Sequence, residues 1–198
     1  MLDNDHSQKK PTPGFQFRGL IAIIGVCGSG KSTLGEKLAT CTAAPFFDAD
    51  DFHSEKNRNK MASGQPLEDE DRWTWLNNIN QACRKAFESH GRLILAAPGH
   101  KESYRAILCE GIAPAHWFYL HGPMELIHNR MKQRDHFMPP GLLASQFAIM
   151  DPPEYATVLD VSKPLDALVS QVLKQVCSRA NCVYSKKKPG FPEKPRPD

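Results

Sequence analysis

The sequence predicts an α/β protein: a five-stranded parallel sheet with helices on both faces. Two observations carry this. Apolar runs of strand length alternate with amphipathic stretches of helix length along most of the chain, which is the βαβ pattern. Between the first run and the first helical stretch lies Gly25-Val26-Cys27-Gly28-Ser29-Gly30-Lys31-Ser32, followed by Thr33, which fits the phosphate-binding pattern G-x-x-x-x-G-K-[ST]. Glycines let such a loop turn its N–H groups onto a polyphosphate. Lys31 then reaches the β- and γ-phosphates, and the Ser32 hydroxyl is placed to ligate Mg²⁺. The context is that of a P-loop nucleoside triphosphate hydrolase fold with a nucleoside triphosphate site, the phosphate at a helix N-terminus.

Each element follows in order. Leu20–Ile24 reads as a buried strand, and Ser32–Thr40 as a helix with Leu34 and Leu38 one turn apart. Pro45–Asp48 is a short second strand that runs into Asp48-Ala49-Asp50-Asp51. Residues 52–71 are polar, with Gly64 and Pro66, and read as loop with at most one helical turn. Trp75/Leu76, Ile79, Cys83 and Ala86/Phe87 recur at helical spacing until Gly91. Arg92–Ala97 is the third strand, ended by Pro98-Gly99. Lys101–Cys109 is a helix with Tyr104, Ile107 and Leu108 inward, stopped at Gly111. His116–Leu120 is the fourth strand, and Pro123 suits the first position of a helix that turns Ile127 and Met131 inward. After His136-Phe137-Met138-Pro139-Pro140-Gly141 comes a short helix with Leu142, Leu143 and Phe147. Thr157–Val161 is the fifth strand, and Leu165, Leu168, Val169, Val172, Leu173 and Val176 form one face of a last helix. The folded domain is expected over 18–182. It is flanked by disordered tails over 1–17 and, rich in lysine and proline, over 183–198.

Composition excludes several function classes. The chain has 198 residues, 40% hydrophobic and 24% charged, enough for one substantial core. The net charge of +3 is too small to argue for nucleic acid, and much of it falls in the C-terminal tail. No apolar run reaches membrane-spanning length and the first residues lack an apolar signal region, so a cytoplasmic location is expected. The six cysteines show no C-x-x-C pair and sit mostly in apolar patterns, which points to a reducing compartment. The eight histidines show no ligand pairing.

The phosphate loop needs an acidic partner for Mg²⁺. The third strand ends Ala96-Ala97-Pro98 with no carboxylate, so that role falls to Asp48, Asp50 or Asp51. On an extended strand end, residues two apart point the same way. Asp48 and Asp50 would then share one site at the sheet edge where α/β proteins place their chemistry. Asp51 is the better candidate for a helix cap. Arg130 and Arg134 lie four apart on one helical face, just before the Pro/Gly-bounded segment 136–141. They suit a mobile segment that stabilises the transferred phosphoryl group, or equally a solvated cationic helix end, and spacing leaves both open. His53, Arg58, Lys60, Arg72 and His136 are candidates for an acceptor rich in hydroxyls or carrying a carboxylate. Trp73 and Trp75 read as packing.

Several stretches resemble the gluconokinase family, small phosphate-loop kinases related to shikimate kinase. They are the phosphate loop; Asp48-Ala49-Asp50-Asp51-Phe52-His53; Asn57 through Met61 with Gly64 and Pro66-Leu67; and Asp69-Glu70-Asp71-Arg72 with Trp75-Leu76. Further on come Tyr104-Arg105, His136-Phe137-Met138-Pro139, Leu142-Leu143, Ser145-Gln146-Phe147 and Pro152-Pro153. The resemblance spans roughly residues 20–175. It implies ATP-dependent phosphorylation of D-gluconate to 6-phospho-D-gluconate, a strand order 2-3-1-4-5 and a short lid carrying Arg130 and Arg134. It also implies Asp50 at the acceptor hydroxyl, Asp48 near Mg²⁺, and often a homodimer. Lys31, Asp50 and Arg134 would be the catalytic set.

There are departures. Where the family ends its third strand Cys-Ser-(Ala/Ser)-Leu-Lys, this chain has Ala97-Pro98-Gly99-His100-Lys101. Gly99, His100 and Lys101 are therefore expected at the acceptor, where His100 can replace the lost serine as a donor to a hydroxyl or to the carboxylate, more strongly when protonated. Ala106 stands for an aspartate, and Cys27 for a commoner serine. The alternatives are a kinase for another small sugar acid or polyol acid, or a nucleotide-binding regulatory protein without turnover.

Overall fold

Five strands, β1 (Gly19–Ile24), β2 (Phe46–Asp48), β3 (Arg92–Ala97), β4 (Ala115–His121) and β5 (Thr157–Asp160), pair in parallel in the order β2-β3-β1-β4-β5. This is the expected order. The computed structural model describes residues 17–132 and 143–180. Helices α1 (Lys31–Thr42), α2 (Glu55–Ala62), α3 (Asp69–His90), α4 (Glu102–Cys109), α5 (Met124–Lys132), α6 (Leu143–Ile149) and α7 (Leu165–Ala180) connect and cover the strands. None of them is long and apolar enough to cross a membrane.

β1 reads as one apolar run because both of its faces are buried. Ile21 and Ile23 pack with Leu34, Leu38, Phe118 and Val172 on one side of the sheet. Leu20, Ala22 and Ile24 pack with Trp75, Ile79, Leu95 and Leu108 on the other. The period of two thus sorts one strand into two cores. Inside α1, Gly35 lets the helix lie against β2, because a Cβ there would sit 2.2 Å from the Phe46 ring.

The structure corrects the reading of 52–71. That stretch holds all of α2, two turns long, and the first turn of α3. α2 was hidden because only Asn57 and Met61 are buried along it, so it carries no apolar period. Its usable signal was the cap: Ser54 Oγ accepts the Asn57 N–H at 3.2 Å. α3 opens on Asp69, Glu70 and Asp71, three acids that suit a helix N-terminus. Two smaller corrections follow. Pro123 precedes α5 rather than opening it, its carbonyl accepting the Ile127 N–H at 3.2 Å. Phe17, assigned to the N-terminal tail, is buried in the core. The rest of both tails and all of 133–142 lie outside the described residues.

Candidate active site

The phosphate loop, Asp48–Asp51 and the 98–101 segment leave the C-terminal ends of β1, β2 and β3, neighbours in the sheet. Cys27–Ser32, Asp50 and the 98–101 segment wall two adjoining cavities. One, about 430 Å³, is lined by Cys27–Leu34, Arg130 and Lys163, among others. Its loop is shaped by close packing: Gly28 has φ +74°, and a Cβ there would stand 2.3 Å from Met131 Cγ of α5. Gly30, at φ +99°, forms the N-cap of α1 and opens the helix toward the cavity. Lys31 is buried, its Nζ donating to the Val26 carbonyl at 3.0 Å. The Ser29 hydroxyl is buried without a hydrogen-bond partner, a group that a phosphate oxygen would satisfy. Arg130 donates to the Val161 carbonyl at 2.9 Å. Burial pushes the Cys27 thiol up to about 11, so it stays protonated and inert.

The second cavity, about 570 Å³, lies between α3, α4, α6 and the 98–101 segment. Asp50 lines both cavities. The route by which it arrives differs from the expected one. After Asp48 the chain turns into a 3-10 helix over Ala49–Phe52, so Asp50 is not on extended strand. Asp48 itself is the cap, Oδ1 accepting the Asp50 N–H at 3.0 Å, while Asp51, the expected cap, is exposed. His53 is buried, stacked on Trp75 at 4.4 Å, with Nε2 4.0 Å from Asp50 Oδ1. Trp75 in turn donates to the Ala49 carbonyl at 2.8 Å, holding the turn. Burial, with Arg58 and Arg72 nearby, lowers the His53 pKa to about 4.

Across this cavity the cations are tied to one carboxylate. Asp69 accepts both Lys101 Nζ contacts, at 2.8 and 2.7 Å, and the Tyr104 hydroxyl, with Arg72 at 3.5 Å. Lys101 first, then Tyr104, hold the Asp69 carboxyl below its ordinary range. Arg72 also donates to Tyr104 Oη at 3.1 Å. His100 is buried, and burial together with Lys31, Arg72, Arg105 and Lys101 lowers its pKa to about 3. The ring is therefore neutral, which removes the stronger, protonated form of the expected His100 donor and leaves the neutral one.

The structure thus brings Asp50, His53, Arg72, Gly99, His100 and Lys101 to one cavity. It does not bring Arg58 or Lys60 there. Arg58 is exposed and donates to the Asp51 carbonyl at 3.2 Å, and Lys60 is paired with Asp71 at 2.6 Å. Arg134 and His136 lie outside the described residues. Sequence reasoning left Asp69, Arg105 and Gln146 out of the site. For Asp69 the signal was the acidic run before Arg72; for the other two, only the resemblance touched them.

The chain's relatives agree with this geometry. A family model described as Shikimate kinase matches residues 27–146. A probable gluconokinase of Rattus norvegicus is 39% identical over 79% of this chain and 96% of that protein. The thermosensitive gluconokinase of Escherichia coli is 41% identical over 67% of this chain and 71% of that protein. Among solved structures, a gluconokinase from Sinorhizobium meliloti 1021 superposes with a TM-score of 0.73 and 35% identity, covering 83% of this chain and 95% of that one. With a phosphate loop beside a second cavity and Asp50 in the wall of both, the chain belongs to the gluconokinase family of small phosphate-loop kinases.

Proposed function

We propose that this kinase transfers the γ-phosphoryl group of ATP to the 6-hydroxyl of D-gluconate, giving ADP and 6-phospho-D-gluconate. The position of Asp50 in the wall of both cavities carries this reading. A hydroxyl lying against Asp50 in the larger cavity faces the phosphate end of the nucleotide cavity. As the new O–P bond forms, the bond from the γ-phosphorus to the β,γ-bridging oxygen breaks, and the hydroxyl proton passes to the Asp50 carboxylate. Lys31 and the loop N–H groups hold the polyphosphate, and Arg130 stands at the same cavity.

The Ser32 hydroxyl and the Asp48 carboxylate would hold Mg²⁺. They are the hard oxygen donors that ion prefers, and Asp48 sits at the end of β2. Bound there, the ion would offset charge on the phosphate oxygens. The Arg72 and Lys101 cations suit an acid as the acceptor, and Pro98, which has no N–H, is the observation that favours a different sugar acid. The free thiols of Cys27, Cys41, Cys83 and Cys109 fit a cytoplasmic setting. The test is ADP release across a panel of sugar acids, with the product on gluconate identified by its phosphate position. Turnover on gluconate above all others is expected. Preference for another acid, or nucleotide binding with no transfer to any, would overturn the reading.

A further inference from the structure

His100 is 4% exposed, and its Nε2 is buried with no hydrogen-bond partner. Folded proteins rarely leave such a nitrogen unpaired unless something outside the chain completes it. The ring lines the larger cavity. Its backbone is fixed on both sides. Gly99, at φ +58°, packs so close to β1 that a Cβ would stand 2.4 Å from Ile24 Cγ2, and its carbonyl accepts Arg105 Nη1 at 2.7 Å. The His100 carbonyl accepts the Asp151 N–H at 2.9 Å. A buried ring on a backbone held this firmly, with one nitrogen unsatisfied, is a built contact point rather than a loose wall.

Burial first, and after it the charges of Lys31, Arg72, Arg105 and Lys101, keep the ring neutral, with one nitrogen donating and the other accepting. That suits a hydroxyl, which can do both, and not the acid end of the acceptor, which the cations themselves suit.

We propose that His100 is a specificity-determining residue of the acceptor cavity, its neutral imidazole hydrogen-bonding one non-reacting hydroxyl of the polyhydroxy acid. This rests on the functional reading above and adds to it which group on the wall reads the carbon chain.

The test is a cycle of kcat and KM for the parent enzyme, His100→Leu and His100→Gln. The acceptors are D-gluconate and its mono-deoxy analogues at carbons 2 to 5. The parent should lose about ten-fold in kcat/KM on one analogue. His100→Leu should lose about the same on gluconate, chiefly through KM, with little further loss on that analogue and no change in KM for ATP. His100→Gln, which keeps a donor and an acceptor, should recover part of the loss. If the parent phosphorylates gluconate but His100→Leu discriminates against every analogue as the parent does, the ring is packing only and the inference falls alone. Should His100→Leu not fold, the same comparison on His100→Gln decides: unchanged discrimination at all four carbons overturns the contact. A parent that transfers nothing to gluconate overturns the functional reading, and this inference with it.

Discussion

Gln146 Oε1 accepts the backbone N–H of Cys27 at 2.6 Å. One residue of α6 therefore lines the acceptor cavity and grips the phosphate loop at the same time. Movement of α6 on acceptor binding must be felt by the loop, because the two share a hydrogen bond.

Gln146→Leu keeps the side chain's bulk and removes this acceptor. Nucleotide affinity should fall about three- to ten-fold, the worth of one such bond. The Cys27 amide should exchange faster, and the effect of gluconate on ATP binding should shrink. Calorimetric titration of a non-hydrolysable ATP analogue, with and without gluconate, measures both. Equal affinities and an equal gluconate effect in parent and variant would remove Gln146 from the coupling.

Asp50→Asn keeps shape and removes the basicity. With the carboxylate in the wall of both cavities, transfer should slow by about 10²–10⁴ while ATP still binds. His53, 4.0 Å away, has its pKa lowered to about 4 by burial and by Arg58 and Arg72, so it holds a proton weakly and is a poor substitute base. A kcat within a factor of three of the parent would make Asp50 structural.

The parts of this molecule that carry a period were legible in its sequence. Leu20–Ile24 and Arg92–Ala97 are strands because both faces are buried, and the Leu165–Val176 stripe is a helix because one face is. The phosphate loop was legible because its chemistry demands its residues. α2 was not, since a helix that buries only Asn57 and Met61 leaves no apolar rhythm. Nor was the turn after Asp48, where the strand geometry that placed Asp48 and Asp50 side by side gives way to a 3-10 helix capped by Asp48. The burial of His53 and Arg105 was not legible either, since residues of these types are usually exposed; tertiary packing against Trp75 and against the 98–101 segment decided it.

The two buried histidines make stability depend on pH. In the unfolded chain both titrate near 6.5; folded, His53 does so at about 4 and His100 at about 3. Between those values the unfolded state binds more protons, so acid favours unfolding. Stability should be full above about pH 6.5 and fall as pH drops toward 4, before most carboxylates titrate. Urea unfolding at pH 7.5, 6, 5 and 4.5 checks this, and His53→Asn with His100→Leu should flatten the slope. A parent equally stable at pH 7.5 and 4.5 would contradict buried neutral rings.

Arg105 holds the acceptor wall together. It is 2% exposed, and its Nη1 donates to the Gly99 carbonyl at 2.7 Å and to the Asp151 carbonyl at 2.6 Å. Nε and Nη2 donate to Glu102 at 3.0 and 2.7 Å. The planar fork thus joins the loop after β3 to the segment after α6, with a carboxylate to balance its charge. Arg105→Lys retains the charge, but a single ammonium on a flexible stem cannot serve both carbonyls and the carboxylate. One buried carbonyl is left unsatisfied at least, costing about 1–3 kcal/mol. The wall carrying Gly99 and His100 then loosens. KM for the acceptor should rise, while KM for ATP, bound at a loop Arg105 does not touch, should hold. Denaturant unfolding and acceptor kinetics read the two effects separately. If Arg105→Lys matched the parent in both, the 98–101 segment would owe its position to Gly99 packing on Ile24 instead of to the guanidinium.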